Sequence, residues 1–321
     1  MPKISVIVAT KNCFDKIDTI MLSLFRQEEQ DIEIICVDDC SDDGTLNLLQ
    51  HYAEFDKRVK IIAQPKPIGT LPCCKVGLES ATAPYALFLN GNHHILLVQM
   101  FLRRLLNNAL RNRSDVVYTP VIFIDALLFT AHQLYVIPKK TAEAMAQIPC
   151  VISKTLNPQI LFLLYLSPYI KLYRTEFVKN MDFSAFDEPF FLNVLMKAER
   201  LSYDLDFLCY RQIWPQDFDR PQIFEEYAQM EEVLRQNGVY ETHKHAFICR
   251  KMQSLWTAVA KALSQNQKQM FEQLKKEFAD EDFSQYDANL LKQHIHYNSY
   301  MNLSTMSYDD FLTIAADEKN E

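Results

Sequence analysis

The 321-residue chain is 49% hydrophobic and 23% charged, an ordinary globular composition with room for one large domain and a smaller second one. Its net charge of −8 gathers after residue 216, which argues against nucleic acid or a strongly anionic surface as the partner. The eight cysteines lack metal-ligand spacing, the N-terminus lacks signal-peptide regions and apolar runs such as 160–166 are too short to span a bilayer, so the expectation is a cytoplasmic protein with free thiols, at most peripheral at the inner face of the membrane.

Ile4, Val6, Ile7 and Val8 form a β-branched run of the kind found in strands covered on both faces. Asp15 then precedes a helical stripe of Ile17, Ile20, Met21, Leu24 and Phe25 and is a natural N-cap. A second apolar run over 32–37 leads into the acidic, turn-rich segment Asp38-Asp39-Cys40-Ser41-Asp42-Asp43-Gly44. A helix carrying Leu46, Leu49 and Ala53 follows, then a strand over 59–63, a short helix over 72–81 with proline in its first turn, and a strand over 85–89. Strands alternating with helices of this length imply a parallel sheet, whose ligands bind at the carboxyl ends of the strands. That rule points at Thr10-Lys11-Asn12, at Asp38-Asp39 and at Asn90-Gly91-Asn92.

The pattern next predicts a helix over 96–108 and a strand over 116–121, while 122–166 takes no assignment. From Pro221 onward it turns helical. Ile223, Tyr227, Met230 and Leu234 share one face, and Ile248, Met252, Leu255 and Val259 share another. Met270, Leu274 and Phe278 continue the theme, with Gly238 as a helix stop. The fold class expected is α/β over 1–215, followed by a helical domain over 216–321.

Residues 4–12, 31–39, 43–45, 77–81 and 85–89 carry a resemblance, seconded by 167–174 with Phe177, by 187–191 and by 210–212. In order and spacing these segments resemble the family-2 glycosyltransferases, which have a GT-A fold (a Rossmann-like nucleotide-binding mixed sheet with flanking helices). The resemblance implies a nucleotide-diphosphate sugar, UDP-linked, as donor and a glycan or glycolipid as acceptor, with inverting transfer. It also assigns roles. Ala9, Thr10 and Lys11 would border the base, Asp39 would hydrogen-bond its edge, and Asp38 would support the loop. Asp187 would be the catalytic base, within reach of the attacking hydroxyl. Lys171 and Arg174 would lie on the acceptor side, or else be ordinary surface charges.

One departure bears on mechanism. Where the family has Asp-x-Asp, this chain reads Asn90-Gly91-Asn92-His93-His94. An amide oxygen can still accept from a ribose hydroxyl, but it lacks the formal charge that helps a hard cation shed water, so Mn²⁺ or Mg²⁺ is disfavoured. Three readings follow. Cations of the chain itself (Lys11, Lys75, or protonated His93 and His94) neutralise the diphosphate; His93 and His94 recruit a softer metal; or transfer is lost and a binding scaffold remains, docked to an active protein partner through the helical tail. Plainer readings stand beside these: Asp38 and Asp39 could cap the helix near Thr45, and Asp187 could be a solvated cap before Pro189.

Overall fold

A computed structural model of the chain describes residues 1–125, 131–132, 158–162, 164, 166–204, 209–213, 220–262, 264–282, 286, 299–300 and 302–318, with the side chains of 94, 122–125, 131–132, 159–160, 212–213, 264 and 317–318 left aside. The chain divides into two compact units, Met1–Ile213 and Trp214–Glu321.

The first unit opens with β1 (Ile4–Thr10), α1 (Phe14–Phe25), β2 (Ile32–Asp38), α2 (Thr45–Phe55), β3 (Val59–Ala63), α3 (Thr70–Glu79) and β4 (Tyr85–Asn90). β5 (His94–Leu97), α4 (Phe101–Asn112), β6 (Val116–Tyr118), β7 (Ile122–Asp125), β8 (Ala131–His132) and the single turn α5 (Pro158–Leu161) come next. It ends with β9 (Leu172–Arg174), α6 (Thr175–Val178), α7 (Asp187–Lys197), β10 (Leu201–Tyr203) and β11 (Cys209–Ile213). A seven-stranded sheet runs β10-β6-β9-β4-β1-β2-β3, and a four-stranded sheet runs β5-β11-β7-β8.

β1 and β2 are buried along their whole length, as continuous β-branched runs covered on both faces must be. β1 pairs in parallel with β2 and β4, and β2 with β3, so Thr10, Asp38 and Asn90 end their strands at one carboxyl rim. Gly77 sets the height of α3 above this sheet. A Cβ there would stand 2.5 Å from an Ile7 methyl, so only glycine lets the helix lie so close. β9 enters the middle of the sheet antiparallel to both β4 and β6, which makes the sheet mixed.

Three expectations need correction. The segment from His94 to Leu97 is strand, not the start of a helix, because it pairs with β11; Ile95 and Leu97 are buried and Leu96 is exposed, the alternation of a strand. The helix begins only at Phe101. α1 starts at Phe14, which puts Asp15 in its first turn rather than at its cap.

The second unit contains α8 (Ile223–Gln236), α9 (Tyr240–Lys261), α10 (Ser264–Glu277) and α11 (Tyr308–Glu318). The apolar stripes anticipated on the first three are buried, including Met230, Leu234, Met252, Leu255, Met270 and Leu274. Trp256 packs edge-on against Tyr300 and Phe311, and Phe271 packs against Phe311. Burying side chains of this size is worth about 1.5–3 kcal/mol each, which is what holds α9, α10 and α11 together. Among the described residues no helix is long and apolar enough to cross a membrane.

Candidate active site

The rim is built first from two loops tied to each other. The amide of Asp39 donates to the Thr10 carbonyl at 2.8 Å, and the Thr10 hydroxyl donates to Asp38 Oδ1 at 3.2 Å. The Ser41 amide and hydroxyl both close on the Asp38 carboxylate. Asn12 takes a positive φ of 47°, which asparagine tolerates, and so reaches the same loop: its amide donates to Ser41 Oγ and its Oδ1 accepts from the Asp42 amide. Asp38 thus fixes the loop from inside. Asp43 accepts from the amides of Phe14 and Thr45, so it tethers the starts of α1 and α2, and the capping alternative for Asp38 and Asp39 near Thr45 falls away.

Asp39 is engaged elsewhere. Its Oδ1 accepts from the Ile68 amide at 2.6 Å and its Oδ2 from the Gly69 amide at 3.1 Å, at the entrance to α3. Lys11 Nζ stands 3.6 Å from Oδ2. The Cys73 thiol also hydrogen-bonds this carboxylate, whose side chain is only 4% exposed, so the chain's own donors take up most of its acceptor sites.

The third component is the turn after β4. The Gly91 amide donates to the Ala9 carbonyl, the Asn92 amide to Asn90 Oδ1 at 2.9 Å and the His93 amide to the Asn90 carbonyl. The Asn90 amide group therefore folds its own turn. Burial, with Arg211 and Lys16 nearby, holds the His93 imidazole well below its ordinary pKa. Without a ligand this favours the neutral imidazole, which can still donate one ring N–H. The side chain of His94 lies outside the described residues. Among the described residues no cluster of three His, Cys, Asp or Glu side chains could hold a metal ion.

Arg211 and Lys16 were not singled out from the sequence. Arg211 sits on β11 opposite Ile95, and Lys16 in the first turn of α1; both approach the turn closely enough to act on His93. The only signal for Arg211 was its place in the segment 210–212. Lys75, by contrast, is exposed on α3 and acts on Asp182.

Asp187 is the first residue of α7 and is half-buried. Its Oδ1 accepts from the Tyr169 hydroxyl at 3.0 Å. The Tyr169 ring stands edge-on to His93, with centroids 5.6 Å apart. α3 joins the two sides of the rim. Burial raises the Cys73 thiol to about 12, with Asp39 acting on it, and raises the adjacent Cys74 thiol well above its ordinary value, with Asp187 acting on it. Neither thiol is a nucleophile at neutral pH. Through Tyr169, Asp187 stands beside the Asn90 turn, and backbone hydrogen bonds tie that turn and Asp39 to the end of β1.

Two acceptor-side expectations fail. Arg174 pairs with Asp115 at 2.6 Å and lies opposite Tyr85, the first residue of β4, at the far end of the sheet from the rim. Lys171 is wholly buried: Nζ donates to the Tyr169 carbonyl at 3.3 Å and lies 4.8 Å from the centroid of the Tyr118 ring. Lys171 is closed to an acceptor, and Arg174, though exposed, lies away from the rim. A separate hollow of about 470 Å³ beside α1 and β5, lined by Leu22, Arg26 and Leu96 among others, contains none of the rim residues.

Residues 5–176 match the family model described as Glycosyl transferase family 2. An uncharacterized glycosyltransferase of Haemophilus influenzae is 31% identical over 125 residues, 39% of this chain and 49% of that protein. The uncharacterized glycosyltransferase EpsJ of Bacillus subtilis is 28% identical over 221 residues, 66% of this chain and 62% of that one. The chain thus spans about half the length of the first relative and less than two thirds of the second. The crystal structure of S. aureus TarS superimposes with a TM-score of 0.60 at 20% identity, covering 98% of this chain and 55% of that one. Its 1–349 fragment in complex with UDP-GlcNAc gives 0.53 at 20% identity, covering 99% and 92%. The mixed sheet with flanking helices is the GT-A fold.

Proposed function

The chain belongs to glycosyl transferase family 2, and from that premise we propose that it moves a sugar from a UDP-linked donor to a hydroxyl of a glycan or glycolipid, with inversion. The observation that carries this reading is the half-buried Asp187 carboxylate, oriented by Tyr169 on the rim that also holds the Asp39 loop and the Asn90 turn. UDP as carrier is supported by the UDP-GlcNAc bound to the TarS fragment.

In this reading Asp187 takes the proton of the acceptor hydroxyl as its oxygen bonds to the anomeric carbon. The bond from that carbon to the diphosphate breaks on the opposite face. Asp39 and Lys11 meet the base, while Asn90 and Asn92 meet the ribose and diphosphate. A resident Mn²⁺ or Mg²⁺ does not fit this donor set: both motif positions are amides, and one of them folds its own turn. The leaving diphosphate needs positive charge as its oxygen departs. Among the described residues, Lys11 beside Asp39 and Lys16 and Arg211 near His93 are cations that can supply it.

The test is Asp187→Asn assayed beside the wild type with a panel of UDP-sugars. Transfer should fall by about 10²-fold or more while donor affinity, read by calorimetry, is retained. Turnover unchanged by the substitution removes Asp187 as the base. A wild type that binds donors but transfers none of them, with any acceptor, leaves only a binding scaffold.

A further inference from the structure

We infer that Tyr169 is a positioning residue of the transfer site, fixing the Asp187 carboxylate with its hydroxyl and the Asn90 turn with its ring. The inference rests on the reading of Asp187 as the base. Tyr169 touches both halves of the rim at once, Asp187 at 3.0 Å and His93 at 5.6 Å between ring centroids, and it is 1% exposed.

The backbone that presents it is held in an unusual state. Ile170 has a φ of 63°, a conformation that β-branched residues avoid and that persists only where the surroundings over-determine it. Three contacts do so here. The Ile170 amide donates to the Phe88 carbonyl at 2.9 Å, the Tyr173 hydroxyl to the Pro168 carbonyl at 2.6 Å, and Lys171 Nζ to the Tyr169 carbonyl. Strain of this kind clusters at functional sites, where the pinned side chain must keep one orientation. The pinned side chain is the one that reaches the carboxylate.

Among the described residues, the titratable groups near Asp187 include the Cys74 thiol from α3, the Tyr173 hydroxyl from β9 and Glu188 beside it on α7, with His93 behind Tyr169. Donation from a hydroxyl to the ionised carboxylate favours the charged form that a base requires.

Tyr169→Phe, made in the full chain, keeps the ring and removes the donor. With a UDP-sugar that the wild type turns over, kcat should fall about tenfold at unchanged donor KM, and the acid limb of the kcat–pH profile should move up by about half a pH unit. A ¹³C titration of the Asp187 carboxyl, assigned with Asp187→Asn, should move in the same direction without any assay of activity. The melting temperature serves as the check on folding. An acid limb and a carboxyl titration that both stay in place, with Asp187→Asn inactive, overturn the role of Tyr169 alone. Full turnover by Asp187→Asn overturns this role together with the reading beneath it.

Discussion

Gly91 lies so close to Thr10 that a Cβ on residue 91 would stand 2.9 Å from the threonine methyl, with Cys13 Sγ at 3.0 Å and the Ala9 carbonyl oxygen at 3.1 Å. The middle residue of the altered motif is thus wedged against the end of β1, and its neighbours are backbone and short buried side chains that cannot swing aside. Gly91→Ala should push the Asn90 turn off the rim. A loss of stability of about 1–3 kcal/mol by urea unfolding, with donor binding weakened more than tenfold, is the expected result. Wild-type donor affinity in a Gly91→Ala protein would mean that the turn does not touch the ligand.

The replacement of the motif carboxylates can be reversed without rebuilding the loop. Asn90 Oδ1 already accepts from the Asn92 amide, a bond that an aspartate oxygen would keep. Asn90→Asp combined with Asn92→Asp should therefore fold as before while adding the negative charge that a hard cation needs. Calorimetry should show donor binding that tightens about tenfold or more on adding Mn²⁺ in the double variant, with a much smaller effect in the wild type. No gain with Mn²⁺ would show that these side chains do not face the diphosphate.

The front of the chain could be read from its sequence because its signals are local. The β-branched runs of β1 and β2 announce buried strands, and the ligand rule for parallel sheets picks out Thr10, Asp38 and Asn90 as their ends. What could not be read is decided by partners far along the chain. The amides that hold Asp39 come from residues 68 and 69. The strand at His94 becomes visible only once β11 is set beside it, since a four-residue apolar run fits either helix or strand. Lys171 and Arg174 look alike in sequence, two cations three residues apart, yet Lys171 is buried just before β9 and Arg174 closes that strand at the end of the sheet opposite the rim. No periodicity distinguishes them.

Lys171 makes the last case quantitative in pH. Burial lowers its amine from an ordinary 10.5 to about 7, against a smaller upward pull from Cys209. In the unfolded chain the amine keeps its proton up to about 10.5, whereas the folded chain releases it near 7. The unfolded state binds more protons between those values, so stability from this group rises with pH across that window and is lowest below it. Lys171→Met keeps the length of the side chain and removes the charge. At pH 6 the variant should be more stable than the wild type by about 1 kcal/mol or more, and the gap should narrow by pH 9 as the native lysine becomes neutral. Urea unfolding of both proteins at the two pH values measures it. A gap that does not change with pH would mean that Lys171 keeps its proton in the fold across this range.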